Sequence, residues 1–120
     1  MDIMNEYGLK ASFCRVSEIE EKINTFRAVV TDKSDTAYEV LNVAAHLGVK
    51  IPDAFEIIAG NTEFYSKYLY PPLTTVKVPT REIGEFAAKS VLSQISGQSP
   101  PDYTSQNFEY SIEFRESTKQ

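Results

Sequence analysis

The chain has no tryptophan, one cysteine, one histidine and two methionines in 120 residues, and no apolar run approaching the roughly 18 to 20 residues that a membrane-spanning helix needs. A single cysteine excludes an internal disulfide. Its neighbours Ser12, Phe13 and Val16 mark Cys14 as an interior strand residue and not an activated thiol, since a buried thiol behaves as a small hydrophobe. The lone histidine, His46, lies between Ala45 and Leu47 with no second histidine or cysteine at ligand spacing, so no metal site is expected. Positive charge is also scarce. Twelve Lys and Arg stand against 17 Asp and Glu, a net charge of -5, and no two basic residues are adjacent. A phosphate backbone is gripped by clustered cations, so this chain is not expected to hold DNA by itself. The opening Met1-Asp2-Ile3-Met4-Asn5-Glu6 lacks the basic and apolar parts of a signal peptide, so a cytoplasmic location without a membrane partner is expected.

What is present suits one folded unit. Hydrophobic residues make up 42% and charged residues 24%, enough for one core in a chain too short for two, so residues 1–120 should form a single domain. Residues 2–8 place Ile3, Met4 and Tyr7 on one helical face and stop at Gly8, before a short apolar stretch over 11–16 that reads as a strand. Ser17 and Glu20 have the spacing of a capping box, opening a short helix to about Ile23. Arg27-Ala28-Val29-Val30-Thr31 is β-prone, and Ala37, Val40, Leu41, Ala44 and Ala45 then recur at helical spacing. Gly48 ends that helix, Pro52 blocks its resumption, and Phe55-Glu56-Ile57-Ile58-Ala59 is a second β-prone run. Residues 74–78 extend as a third. Pro79 opens a helix over 80–95 with an apolar face of Ile83, Phe86, Ala87, Val91 and Ile95, stopped by Gly97. Phe108, Tyr110, Ile112 and Phe114 alternate strictly, which predicts a strand with one buried face. Strands and helices alternating through short connections predict an α/β fold with a mostly parallel sheet.

The chemistry is sparse. No glycine-rich phosphate loop, nucleophile–histidine–acid set or cofactor motif occurs, so no catalytic residue and no cofactor are expected. Glu18, Glu20 and Glu21 cluster where a helix N-terminus favours acids. Two polar stretches follow strands: Asp32-Lys33-Ser34-Asp35 and Asn61-Thr62. In an open parallel sheet that edge is where ligands bind, which makes Lys33, Ser34, Asp35 and Asn61 candidate binding residues. They also have structural readings, Ser34 or Thr36 as a helix cap, with Glu39 three residues after Thr36, and Asn61 in a tight turn. The cap is the favoured reading for Ser34; for Asn61 both stay open. Between Asn61 and Pro72 the aromatic residues Phe64, Tyr65, Tyr68 and Tyr70 crowd a segment that reads as a loop with a helical turn. The surplus of Tyr65, Tyr68, Leu69 and Tyr70 fits either a partner surface or packing on the chain's own sheet.

These residues also form an ordered set: Gly48-Val49-Lys50-Ile51-Pro52, then Phe55-Glu56-Ile57-Ile58, then Pro71-Pro72-Leu73-Thr74-Thr75-Val76, with Gly84 ten residues after Thr74, and the closing Phe114-Arg115-Glu116-Ser117-Thr118. The set resembles the lac-repressor/galactose-repressor (LacI/GalR) family of bacterial transcription regulators over nearly the whole chain. The resemblance implies a three-layer, periplasmic-binding-protein-like lobe: the C-terminal lobe of an effector-binding core, with helix 80–95 close to an N-terminal lobe that these residues do not include. It implies a small effector, usually a sugar, and operator DNA read only through a helix-turn-helix outside this chain. Asn61 falls where the family often has the Asp of a Gly-Tyr-Asp motif, although Ala59-Gly60-Asn61 departs at all three positions. The family's Asn-Asp after the preceding strand aligns with Lys33-Ser34, with Asp35 one position further on, and Val78 stands at a crossover where some members place a polar effector contact. The family's homodimer implies an interface of helix 35–47 with Tyr68, Leu69 and Tyr70, and Val40 on that helix. The alternative is a lobe of a periplasmic or surface sugar-binding transport protein; Arg115-Glu116-Ser117-Thr118 and Leu73-Thr74-Thr75 favour the repressor.

Overall fold

A computed structural model of the chain describes residues 4, 6–60, 64–99 and 106–119. Four short strands make one sheet in the order in which they occur: β1 (Ala28–Thr31), β2 (Glu56–Ala59), β3 (Thr74–Lys77) and β4 (Ser111–Glu113). β1, β2 and β3 run parallel, and β4 returns antiparallel on β3, so the mostly parallel α/β sheet expected from the alternation is the one found. Helix α1 (Ile19–Lys22) sits between 3-10 turns at Val16–Glu18 and Ile23–Thr25, α2 (Ser34–His46) joins β1 to β2, and α3 (Thr80–Ile95) joins β3 to the approach to β4. A further 3-10 turn, Phe64–Tyr68, lies between β2 and β3.

Register decides which face is inside. Successive strand residues point to opposite sides, so Val29, Ile57, Ala59 and Thr75 share one face. Against it pack Ala37, Val40, Leu41 and Ala44 of α2 with Ile19 and Ile23 from the α1 region, a core in which Ile57, Ala59 and Ala37 have no solvent exposure. The helical spacing of those α2 residues is what delivers them to one stripe. Gly48 closes α2 at φ +68, a left-handed conformation that a side chain would strain.

The opposite face is covered only in part: Thr74 is buried and Ile58 and Val76 half-buried, but its margins are open. Val30 is 78% exposed and Ile112 48%, with Tyr110 and Phe114 exposed on either side. The alternating run 108–114 therefore does not have the buried face expected of it, and only its middle, Ser111–Glu113, is strand. Alternation reports that one side is apolar; it does not supply the layer that covers it. Helix α3 shows the same mismatch. Its bounds agree with the pattern, yet Ser90 is its one buried residue, while Val91, Leu92 and Ile95 are exposed. Its Phe86 ring meets Phe108 edge-on at 5.9 Å, tying the helix to the segment before β4. With α3 carried away from the main core, the radius of gyration is 18.3 Å, against about 14 Å for a closely packed chain of this length.

Two further expectations fail for identifiable reasons. Residues 11–16 form no strand, and Phe13 is 89% exposed: residues 12–16 line a recess beside β1 but make no ladder hydrogen bond with it, and the Arg15 carbonyl is taken by the Glu18 amide of the following 3-10 turn. Cys14 is accordingly half-buried in an irregular segment. The capping box at Ser17 and Glu20 does not form either; Ser17 lies within a 3-10 turn, and Glu18 instead accepts a hydrogen bond from Lys22 at 2.6 Å. That ammonium group, first by hydrogen bonding and then by charge, holds the Glu18 carboxyl below its usual range.

The returning tail locks the sheet. β2 and β3 pair directly only through Ile58 with Thr74 and Ala59 with Thr75. Just before that pairing Ser117 bridges them: its Oγ donates to the Ile57 carbonyl at 2.7 Å and accepts the Thr74 amide at 2.8 Å. The Ser117 carbonyl receives the Ile57 amide at 3.0 Å, and the Ser117 amide donates to the Pro72 carbonyl at 3.0 Å. Arg115 donates to the Thr75 hydroxyl at 3.0 Å and pairs with Glu113. Ser117 is fully buried. Ser117→Ala leaves the Thr74 amide without this acceptor inside the core, so it should destabilise the chain by about 1–3 kcal/mol. The check is urea unfolding, in which the midpoint should fall while the slope is unchanged.

Candidate functional site

The carboxyl ends of β1 and β2 open onto a shared edge, and the two loops that leave it are knit together. After β1, the Thr31 hydroxyl donates to the Lys33 carbonyl at 2.9 Å, and the Thr36 hydroxyl to the Asp32 carboxylate at 3.1 Å. After β2, the Gly60 amide donates to the Thr31 carbonyl at 2.7 Å. A Cβ on Gly60 would stand 2.7 Å from the Asp32 carbonyl oxygen, so the loops meet at a distance that only glycine allows.

Lys33 occupies the cap position of α2 in an extended conformation, without a side-chain capping bond, and is exposed. The cap expected of Ser34 or Thr36 is therefore not made: Ser34 is already inside the first helical turn, and Thr36 turns its hydroxyl to Asp32. Ser34 is fully buried, its Oγ 3.0 Å from the Oγ of Ser66. Asp35 is exposed and accepts a hydrogen bond from the Tyr65 hydroxyl. Asn61 lies outside the described residues. Among the described site candidates, then, Lys33 and Asp35 present charge at the strand edge, while Ser34 faces inward.

Tyr65 and Ser66 were not legible as part of this edge. Tyr65 reads in sequence as one aromatic among several, and Ser66 as an unremarked loop residue; both reach α2 across about thirty positions, which no local spacing signals. Around them Phe64 meets Tyr65 edge-on at 5.9 Å, and the Lys67 ammonium lies 4.9 Å from the centre of the Tyr68 ring. Tyr68 is 71% and Tyr70 91% exposed, Leu69 is half-buried against the core, and Val40 is 1% exposed within it. Val78 is half-buried at the exit of β3. No group of three or more His, Cys, Asp or Glu that could hold a metal is found among the described residues. Among them also, no helix is long and apolar enough to cross a membrane.

Comparison with known proteins places this geometry. The profile of the periplasmic binding protein-like domain matches residues 4–118. The chain belongs to that family. Similar curated proteins are transcriptional regulators and not enzymes: the ribose operon repressor of Bacillus subtilis is 34% identical over 92 residues, 77% of this chain and 28% of the repressor. The helix-turn-helix-type transcriptional regulator RegA of Clostridium saccharobutylicum is 26% identical over 95 residues, 78% of this chain and 28% of RegA. A solved periplasmic binding protein/LacI transcriptional regulator from Alkaliphilus metalliredigens, complexed with D-xylulofuranose, superposes with a TM-score of 0.84. At 22% identity it shows the fold alone, covering 99% of this chain and 49% of that one. The chain thus spans little more than a quarter of the curated relatives and about half of the solved chain. In this periplasmic binding protein-like chain, Gly60→Ala should cost about 1–3 kcal/mol by forcing two backbones apart. A lower melting temperature would register it; an unchanged one would show that the loops are not in contact.

Proposed function

We propose that the chain is the effector-sensing and dimerising part of a bacterial transcriptional repressor, and that the effector is a sugar. The observation that carries this reading is the family match across 4–118, together with curated relatives that are repressors and regulators. The effector is held at the carboxyl ends of β1 and β2. Lys33 donates and Asp35 accepts hydrogen bonds from sugar hydroxyls, Asn61 does both, and Ser34 acts from behind by fixing the α2 turn against Ser66. The exposed positions of Lys33 and Asp35 support those roles, as does the D-xylulofuranose bound to a relative of the same fold. A second lobe closes over the ligand and packs on α3, whose exposed Val91, Leu92 and Ile95 give it a face to cover. Tyr68, Leu69 and Tyr70 contribute to a homodimer contact, while Val40 supports it from inside the core. Operator DNA is read by a helix-turn-helix outside these residues, and ligand changes its affinity by binding the two lobe arrangements unequally.

The test uses a two-lobed polypeptide carrying these residues, after its effector has been found by screening pentoses and hexoses. Asn61→Ala and Asp35→Asn should each weaken effector binding by about 1–3 kcal/mol, the cost of leaving an effector hydroxyl unpaired once a second lobe has excluded water. Unchanged affinity in calorimetry removes the altered residue from the site.

A further inference from the structure

Consecutive residues in the first turn of α2 meet consecutive residues of the 3-10 turn Phe64–Tyr68 in reverse order. Ser34 meets Ser66, Oγ to Oγ at 3.0 Å, and Asp35 accepts the hydroxyl of Tyr65. The inner rung is an anchor. Ser34 and Ser66 are both fully buried, and the Ser66 carbonyl takes the Leu73 amide at 2.9 Å, which ties the turn to the entry of β3. The outer rung lies at the surface: Asp35 is exposed, and Tyr65 is half-buried with its ring braced edge-on by Phe64 at 5.9 Å. An exposed aspartate on a helix turn ordinarily samples several rotamers. Asp35 is held instead by a stiff ring whose neighbour in the chain is fixed to the core. Its Oδ1 accepts the Tyr65 hydroxyl, and among the described residues no hydrogen bond reaches its Oδ2.

We propose that Tyr65 is a positioning residue of the effector site and a determinant of its selectivity: by occupying Oδ1 of Asp35 it aims Oδ2 at one hydroxyl of the effector. This rests on the reading of Asp35 as an effector contact, and adds a residue that need not touch the ligand itself. Isomeric sugars carry the same hydroxyls in different directions. An acceptor tells them apart only when the direction it offers is fixed, and a polar group is fixed by the packing and hydrogen bonds behind it. A carboxylate has lone pairs enough to accept from Tyr65 and from a ligand together, so the latch and the ligand do not compete for one place. The buried pair of Ser34 and Ser66 supplies the rigidity, and Tyr65 carries it outward to the rim.

The test is a double-mutant cycle in the two-lobed polypeptide, read by calorimetry with the sugar found in the screen. Tyr65→Phe keeps the ring and removes the hydroxyl alone, so the melting temperature should hold while effector affinity falls about tenfold. In an Asp35→Ala background the same change should cost less than about twofold, because the group it aims is gone. A tyrosine that merely braced the loop would cost the same factor in both backgrounds. Among single-deoxy analogues of the sugar, Tyr65→Phe and Asp35→Ala should spare the same one, that which lacks the hydroxyl Asp35 accepts. A fluorinated tyrosine in place of Tyr65, whose hydroxyl ionises near neutral pH, preserves the shape of the site. Its affinity should match that of the unaltered protein at acidic pH and fall as the pH rises through that ionisation, since a phenolate cannot donate to a carboxylate. If the phenylalanine variant does not fold, this pH profile decides. Unchanged affinity in Tyr65→Phe, equal losses in both backgrounds, or a profile no different from that of the unaltered protein overturns the proposal and leaves Asp35 as a contact. Full affinity in Asp35→Ala removes the reading beneath it and the proposal together.

Discussion

One buried hydroxyl, that of Ser117, joins two strands that barely touch each other. β2 and β3 share two register pairs, too few to hold a parallel sheet in line, and the gap below them is closed by a residue forty-odd positions after β3 begins. Through Oγ and its own peptide groups Ser117 engages Ile57, Pro72 and Thr74, while Arg115 is fixed to Thr75 and Glu113. Toward the carboxyl ends the sheet continues from that lock into Ala59 and Gly60, where the Gly60 amide on the Thr31 carbonyl and the Thr31 hydroxyl on the Lys33 carbonyl hold the two loops together. Among the described residues no buried side-chain nitrogen or oxygen lacks a hydrogen-bond partner, so the lock introduces polar groups into the core without leaving any unmatched.

This contact also gives a physical meaning to the motifs that carry the family resemblance. Leu73-Thr74-Thr75 and Arg115-Glu116-Ser117-Thr118 lie far apart in the chain, yet they are the two segments that interlock: Thr74 meets the amide of Arg115, and its hydroxyl lies 2.8 Å from that of Thr118. Local pattern was sufficient for β1, β2, β3, α2 and α3, because apolar spacing and glycine stops are properties of a few consecutive residues. It failed where an outcome depended on a distant neighbour. Residues 11–16 have strand composition and lie beside β1 without forming a ladder with it, and 108–114 have a strand's alternation but no covering layer. Ser34 has the chemistry of a cap, yet Ser66, thirty-two positions later, claims its hydroxyl. The edge itself could be anticipated from strand ends; the inward turn of Ser34 and the reach of Tyr65 to Asp35 could not.

The molecule has the form of one jaw. Its core is complete between α1, α2 and one face of the sheet, whereas the polar rim at the strand ends has charge without enclosure, and α3 extends away with its apolar residues exposed. Enclosure is what gives hydrogen bonds to a sugar their strength, since hydroxyls left in contact with water exchange one partner for another at little net gain. On the proposed reading, this chain contributes recognition and partner surface, and affinity comes only when a second lobe removes the solvent.

Isothermal titration of the effector found by the screen of pentoses and hexoses, run in parallel on the two-lobed polypeptide and on the isolated 120-residue chain, tests that claim most directly. The account predicts saturable binding by the two-lobed polypeptide and, for the isolated chain, heats of dilution alone. Stoichiometric capture by the isolated chain with a dissociation constant near 1 μM, about -8 kcal/mol, would show that the single lobe already encloses its ligand, and would contradict it.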